Sequence, residues 1–196
     1  MKAILKREHI DEVLKLLEFR GYHIEHMLKQ LRITTKKLSA EEEKQAQRWN
    51  STDNVFEYIL VEDVLYIFAA SGQTRILSLQ GMFKDCDRIR SISLEEIEII
   101  EGNMTETFSD CTALEEVIGI PHGMTDMTNT FSGCIALKTA PKLPDSAVKL
   151  YGVFSNCSAL QHVPNIPQNA ENMAYAFFNC KSLKNVPEIP KNVKLI

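Results

Sequence analysis

The chain has 196 residues, 44% of them hydrophobic, enough to bury the core of one or two domains. A formal net charge of -4 argues against a nucleic-acid or membrane-surface binder, and no apolar run is long enough to span a bilayer. The N-terminus is charged from Lys2 onward and has no continuous apolar stretch, so no signal peptide is expected and the chain is placed in the cytoplasm.

Residues 1–54 read as a helical N-terminal cap. Ile10, Val13, Leu14 and Leu17 fall on one helical face. Ile24, Met27, Leu28 and Leu31 repeat that spacing after Gly21, which predicts a second helix. Ser39 followed by Glu42 is a capping-box signature for a third, polar helix through Trp49. Residues 55–78 read as a linking β segment, with a hairpin over Phe56–Phe68 that is apolar enough to be buried on both faces and a third strand near Thr74–Leu79. Three helices and a hairpin are also the order of a winged helix, whose second and third helices would read DNA. Residues 1–75 hold twelve Lys/Arg against twelve Asp/Glu, however, and a wing is polar where this hairpin is not, so direct nucleic-acid binding is the weaker reading.

From Leu79 onward the chain is a repeat. Cys86, Cys111, Cys134, Cys157 and Cys180 mark it, the last four spaced 23 residues apart. Phe83, Phe108, Phe131, Phe154 and Phe177 precede them by three residues, and Ile89, Leu114, Leu137, Leu160 and Leu183 follow by three. Pro121, Pro144, Pro167 and Pro190 lie ten residues after the last four cysteines. Leu79, Met104, Met127, Leu150 and Met173 lie seven before each, and Ile196 falls on that same column. A fixed period of this size means a solenoid. The Phe, Cys and Leu columns are expected to point inward and stack on themselves. The residue before each cysteine is Asp85, Asp110, Gly133, Asn156 or Asn179, types suited to a left-handed backbone. The five cysteines are expected to be reduced, buried thiols: their number is odd and no CxxC pair occurs.

The pattern F-x-x-C-x-x-L-x-x-V-P-x-I-P over residues 79–196 resembles the BspA-type leucine-rich repeat of bacterial proteins. The first repeat departs from it, with 25 residues and with Ser93 and Glu96 in place of prolines. The resemblance implies a curved leucine-rich-repeat solenoid that binds other proteins; with the helical cap and β segment read from residues 1–78, the chain is expected to be α+β, leading into a right-handed solenoid of about five coils. Many members are secreted adhesins, so a fragment of a surface adhesin is one alternative function and a DNA-binding regulator another.

A solenoid binds through the exposed positions of its strand segments. Here these include Glu115, Glu116, Lys138, Lys142, His162, Asn165, Lys184 and Glu188. No Lys or Arg occurs from Ser91 to Leu137, a window that also carries Glu95, Glu96, Glu98 and Glu101. It reads either as an acidic solvated surface or as a negative patch docking a basic partner protein, one that itself handles nucleic acid being a candidate. No H-E-x-x-H, Walker loop, G-x-G-x-x-G or G-x-S-x-G motif occurs, so no enzyme, catalytic residue, metal or cofactor is expected. The last coil lacks a polar cap, which predicts either a two-fold dimer through the C-terminal coil or a monomer with a frayed end.

Overall fold

The computed structural model describes residues 3–5, 7–19, 30–33, 38–50, 56–61, 64–69, 74–76, 78–94 and 98–195. Its first third mixes strands with helices: β1 (Ala3–Leu5), α1 (Arg7–Phe19), β2 (Gln30–Ile33), α2 (Ala40–Gln45) and β3 (Gln47–Asn50). The expectation of three helices is corrected in two places. Leu31, assigned by its spacing to a second helix, lies in β2, a strand held in parallel between two others; ladder pairing outweighs a short helical pattern there. The rest of that expected helix, residues 20–29, lies outside the described residues. The third helix stops at Gln45, because Gln47–Asn50 pairs antiparallel with the strand that follows. Its expected capping box is present: the Glu42 N–H donates to Ser39 Oγ at 3.3 Å, and the Ser39 N–H donates to Glu42 Oε2 at 2.8 Å.

The hairpin forms as expected, from β4 (Phe56–Val61) and β5 (Val64–Ala69). It is buried on both faces. Tyr58, Leu65 and Ile67 join the main core, while Ile59 and Tyr66 pack with Leu38 and Ala46 on the other side. β6 (Thr74–Ile76) does not extend the hairpin. It lies between β1 and β8 (Glu98–Ile99) in a separate three-stranded sheet. The larger sheet runs β3-β4-β5-β2-β7-β9, where β7 is Ser91–Ser93 and β9 is Glu116–Ile118. The N-terminal strand β2 thus pairs directly with a strand of the first repeat. One apolar cluster runs from Ile10 and Val13 of α1, through the hairpin, along every repeat to Ala176.

Within the repeats, the Phe column forms a file of rings. Phe83, Phe108, Phe131 and Phe154 are stacked at 5.4 Å between centroids, and Phe154 to Phe177 at 6.0 Å. Neighbouring strands repeat at only about 4.8 Å, so each ring is slipped sideways over the next, the offset arrangement that the ring quadrupole favours. The cysteines explain their own column. The thiols of Cys111, Cys134, Cys157 and Cys180 donate to the carbonyls of Phe83, Phe108, Phe131 and Phe154, at 2.9, 3.1, 3.0 and 3.0 Å. A methyl group would fill the space but leave a buried carbonyl with one partner fewer.

The backbone around each phenylalanine is polarised. Every second N–H donates forward to the next repeat, as Gly81 to Thr105, Phe83 to Thr107 and Asp85 to Ser109, while the N–H groups between them close turns within the repeat; the same three forward steps recur from each repeat to the next as far as Asn156 to Phe178. This alignment needs two left-handed residues per repeat. One is the residue before the cysteine, as expected: Asp85, Asp110, Gly133, Asn156 and Asn179 all have φ between 58° and 76°. A side chain at Gly133 would also meet Asp110 Oδ1 at 2.2 Å. The other lies four residues earlier, at Gly81, Glu106, Asn129, Gly152 and Tyr175, with φ between 51° and 58°. A bulky side chain there costs about 1–2 kcal/mol.

Forward donation leaves the first repeat's carbonyls without donors from behind. Arg7 supplies them. Its Nη1 donates to the carbonyls of Gly81, Met82 and Lys84 at 3.2, 3.3 and 2.7 Å, and Asp11 steadies the guanidinium at 2.8 Å. Arg7→Ala is expected to lower stability by about 1.5–3 kcal/mol, the range for hydrogen bonds to a charged group, as measured by urea denaturation. Arg7→Lys should restore only part of it, because an ammonium cannot present the planar fork. Phe154→Ala, which opens the middle of the ring file, should cost about 3–5 kcal/mol against no measurable shift for Gln161→Ala.

Candidate functional site

The strand segments of successive repeats form an exposed row in two paired stretches, β7–β9 and Thr139–His162–Asn185. Ser91 pairs with Glu116 in the parallel β7–β9 register, Thr139 with His162, and His162 with Asn185. Behind this row Ile92, Val117, Ala140 and Val163 are buried, so the outer side chains stand on a packed core. Glu115, Glu116, Lys138, His162 and Lys184 are exposed beside or within the ladder, as the sequence suggests. Glu116 accepts a bond from Ser91 Oγ at 3.3 Å, and neither Glu115 nor Glu116 has an ion-pair partner among the described residues. Glu188 is exposed on the loop that follows.

Other predicted residues fall elsewhere. Glu95 and Glu96 lie outside the described residues. Glu98 sits in β8 of the smaller sheet, and Glu101 is exposed just beyond it. Glu106 and Asp126, from the same acidic stretch, are paired with Lys84 at 2.8 Å and Lys149 at 3.0 Å. Asp126 belongs to a second ladder, Asn103–Asp126–Lys149–Asn172–Leu195. Burial disfavours its charge, but bonds from Thr128 and Lys149 outweigh that and hold its carboxyl below the usual range. The acidic stretch is therefore divided between faces, and among its described residues only Glu115 and Glu116 reach the strand row. Asn165 is occupied: its amide accepts from the Leu143 N–H and donates to the Leu143 carbonyl, both at 3.2 Å, and so ties two repeats together. Lys142 stands apart, beside an open cleft of about 500 Å³ lined also by Val117, Ile120, His122 and Asp145.

Sequence reasoning missed two features. Arg7 shows in the sequence only as one arginine among several. An exposed aromatic group, Tyr151, Tyr175 and Phe178, lies outside the inward columns that define the repeat. Its signal was available: aromatic residues at outer positions that are polar or glycine in earlier repeats.

The thiols hold no reactive centre. Burial pushes Cys86 up to about 11, Cys111 and Cys157 up to about 12, and Cys134 and Cys180 upward as well. Among the described residues no group of three His, Cys, Asp or Glu is placed to hold a metal, and no helix is long and apolar enough to cross a membrane.

A file of inward Phe, Cys and Leu columns, closed by cross-repeat bonds and showing a polar ladder outside, defines a leucine-rich-repeat protein. Residues 79–196 match the BspA type leucine rich repeat region, in six copies, and the chain belongs to that family. The six copies cover the residues in which the cysteine column counts five. The match does not reach the first 78 residues. A leucine-rich repeat protein from Bacteroides ovatus ATCC 8483, known from a crystal structure, is similar at 18% identity and a TM-score of 0.40. The similarity covers 77% of this chain and 48% of that one, so the chain spans about half its length. No curated protein matches.

All five thiols are expected to react slowly with a thiol reagent in the native protein at neutral pH, Cys180 first because it is only half-buried. Unfolding in denaturant without reductant should release five equivalents; fewer would reveal a disulfide.

Proposed function

We propose that this chain is a non-enzymatic protein-interaction module, an inhibitor or effector that docks a basic surface of its partner on the strand ladder. In this reading the first 78 residues cap a right-handed stack of about five coils, and the stack is a rigid platform. The observation that carries it is the pair Glu115 and Glu116, exposed beside and within β9, with no ion-pair partner among the described residues, next to the buried Val117. Such carboxylates are solvated and ready to meet a cation, and they set encounter rate more than dissociation. Lys138, His162 and Lys184 further along vary the sign, which fixes register against partners whose charges do not match. Family membership supports a binding role, and burial holds the thiols in their unreactive protonated form.

Pull-down from the native cell followed by mass spectrometry should return a protein with a basic surface. Changing Glu115 and Glu116 to Lys should leave the urea midpoint unchanged, since both side chains lie outside the core. Association with that partner should slow by about tenfold or more at low salt and lose its salt dependence. Retention of the same partner at an unchanged association rate would overturn this assignment.

A further inference from the structure

The outer side of the turn column carries a second surface. In the first three repeats its positions are Gln80, Thr105 and Thr128; Gly81, Glu106 and Asn129; and Lys84, Ser109 and Ser132. In the last two repeats three of these positions become aromatic: Tyr151, Tyr175 and Phe178. The rings pack edge to face, with centroids 5.6 Å apart for Tyr151–Tyr175 and 6.0 Å for Tyr175–Phe178. Even so, Tyr175 is 59% exposed and Phe178 57%.

Packing does not account for this cluster. Tyr175 is held at φ 58°, where the preceding repeat has Gly152 at φ 57°. The fold needs only a residue that tolerates the left-handed region, and tyrosine tolerates it poorly. A strained, exposed aromatic residue points to a task outside the fold. The surrounding charge indicates what that task is. From Lys149 to Leu195 there are five lysines and two glutamates. Lys149 and Lys194 are neutralised by Asp126 and Glu171. Lys181, three positions after Phe178, has no carboxylate partner among the described residues, while Lys184 belongs to the strand ladder. Beside the rings, Asn179 Nδ2 donates to Asn156 Oδ1 at 3.0 Å, a polar rim of side-chain amides.

We propose that Tyr151, Tyr175 and Phe178 form a docking surface, distinct from the strand ladder, for an acidic peptide segment with an apolar or aromatic anchor. The anchor inserts against the edge-to-face rings, and a flanking carboxylate meets Lys181. Exposed tyrosines ringed by polar groups are the composition of an interface centre, and the excess cation selects the partner's sign.

The test uses the whole chain and a fluorescein-labelled peptide alternating Asp or Glu with Phe and Leu, read by anisotropy. A control peptide keeps Phe and Leu and replaces every acid with Lys. The acidic peptide should bind saturably and the control should not. Tyr175→Gly should weaken binding by about tenfold or more, yet raise the urea midpoint because it relieves the left-handed strain. Lys181→Glu should weaken binding and reduce its salt dependence. Phe178→Ser, which copies Ser155 of the preceding repeat, gives a second variant if Tyr175→Gly does not fold. Equal binding of both peptides, no binding, or unchanged binding by both aromatic variants would overturn the proposal. So would light scattering that shows a dimer dissolved by Phe178→Ser, which would assign the patch to a second copy of the chain.

Discussion

Hydrogen bonds passed in one direction govern the repeat array. At each turn every second backbone N–H around the phenylalanine points toward the following repeat, and the carbonyls between them point back. An ordinary parallel strand sends both kinds of group to both sides. Here the two left-handed residues per turn rotate the peptide planes into alignment, so the constraint falls on φ before it falls on side-chain chemistry. The thiol column follows from it. Each phenylalanine carbonyl accepts a turn bond from its own cysteine N–H and also receives the Sγ–H of the next repeat's cysteine. Cysteine is the small apolar side chain that can also donate.

Aligned peptide groups also carry aligned dipoles. Their negative ends emerge at the first repeat and their positive ends at the last, as in a helix lying along the stack. Arg7 places a cation at the negative end and supplies donors to the carbonyls found there. The N-terminal segment therefore does more than cover an apolar edge. It continues the strand ladder through β2, the core through Ile10 and Val13, and the polar bonding through Arg7.

The repeat columns could be read from the sequence because each environment recurs five times, so a residue type that tolerates it recurs too. The left-handed position before the cysteine was legible in Asp, Gly and Asn. The second, four residues earlier, was not, because Glu106 and Tyr175 disguise it. The first third was harder for a different reason. β2 is a strand because β5 and β7 flank it, and no local pattern around Leu31 records partners so distant in the chain. The acidic stretch misled in a third way. A repeat wraps fully around the axis, so residues close in sequence lie on different sides, and residues share a face when they share a column. Glu116 and Asp126 are close along the chain and belong to different ladders, whereas Glu116 and Ser91 stand side by side.

Because the forward bonds repeat without change, the boundaries between the later repeats are interchangeable. A segment such as Met127–Lys149 meets its predecessor and its successor with the same donors, the same ring and the same thiol. Duplicating or deleting such a unit in the gene would preserve register and would move the two ends of the molecule apart or together by one strand spacing. The first repeat has no such freedom, since its 25 residues and its contacts with Arg7 and β2 fit one position only. Length can thus vary among descendants of this chain from the middle outward, while the N-terminal junction stays fixed.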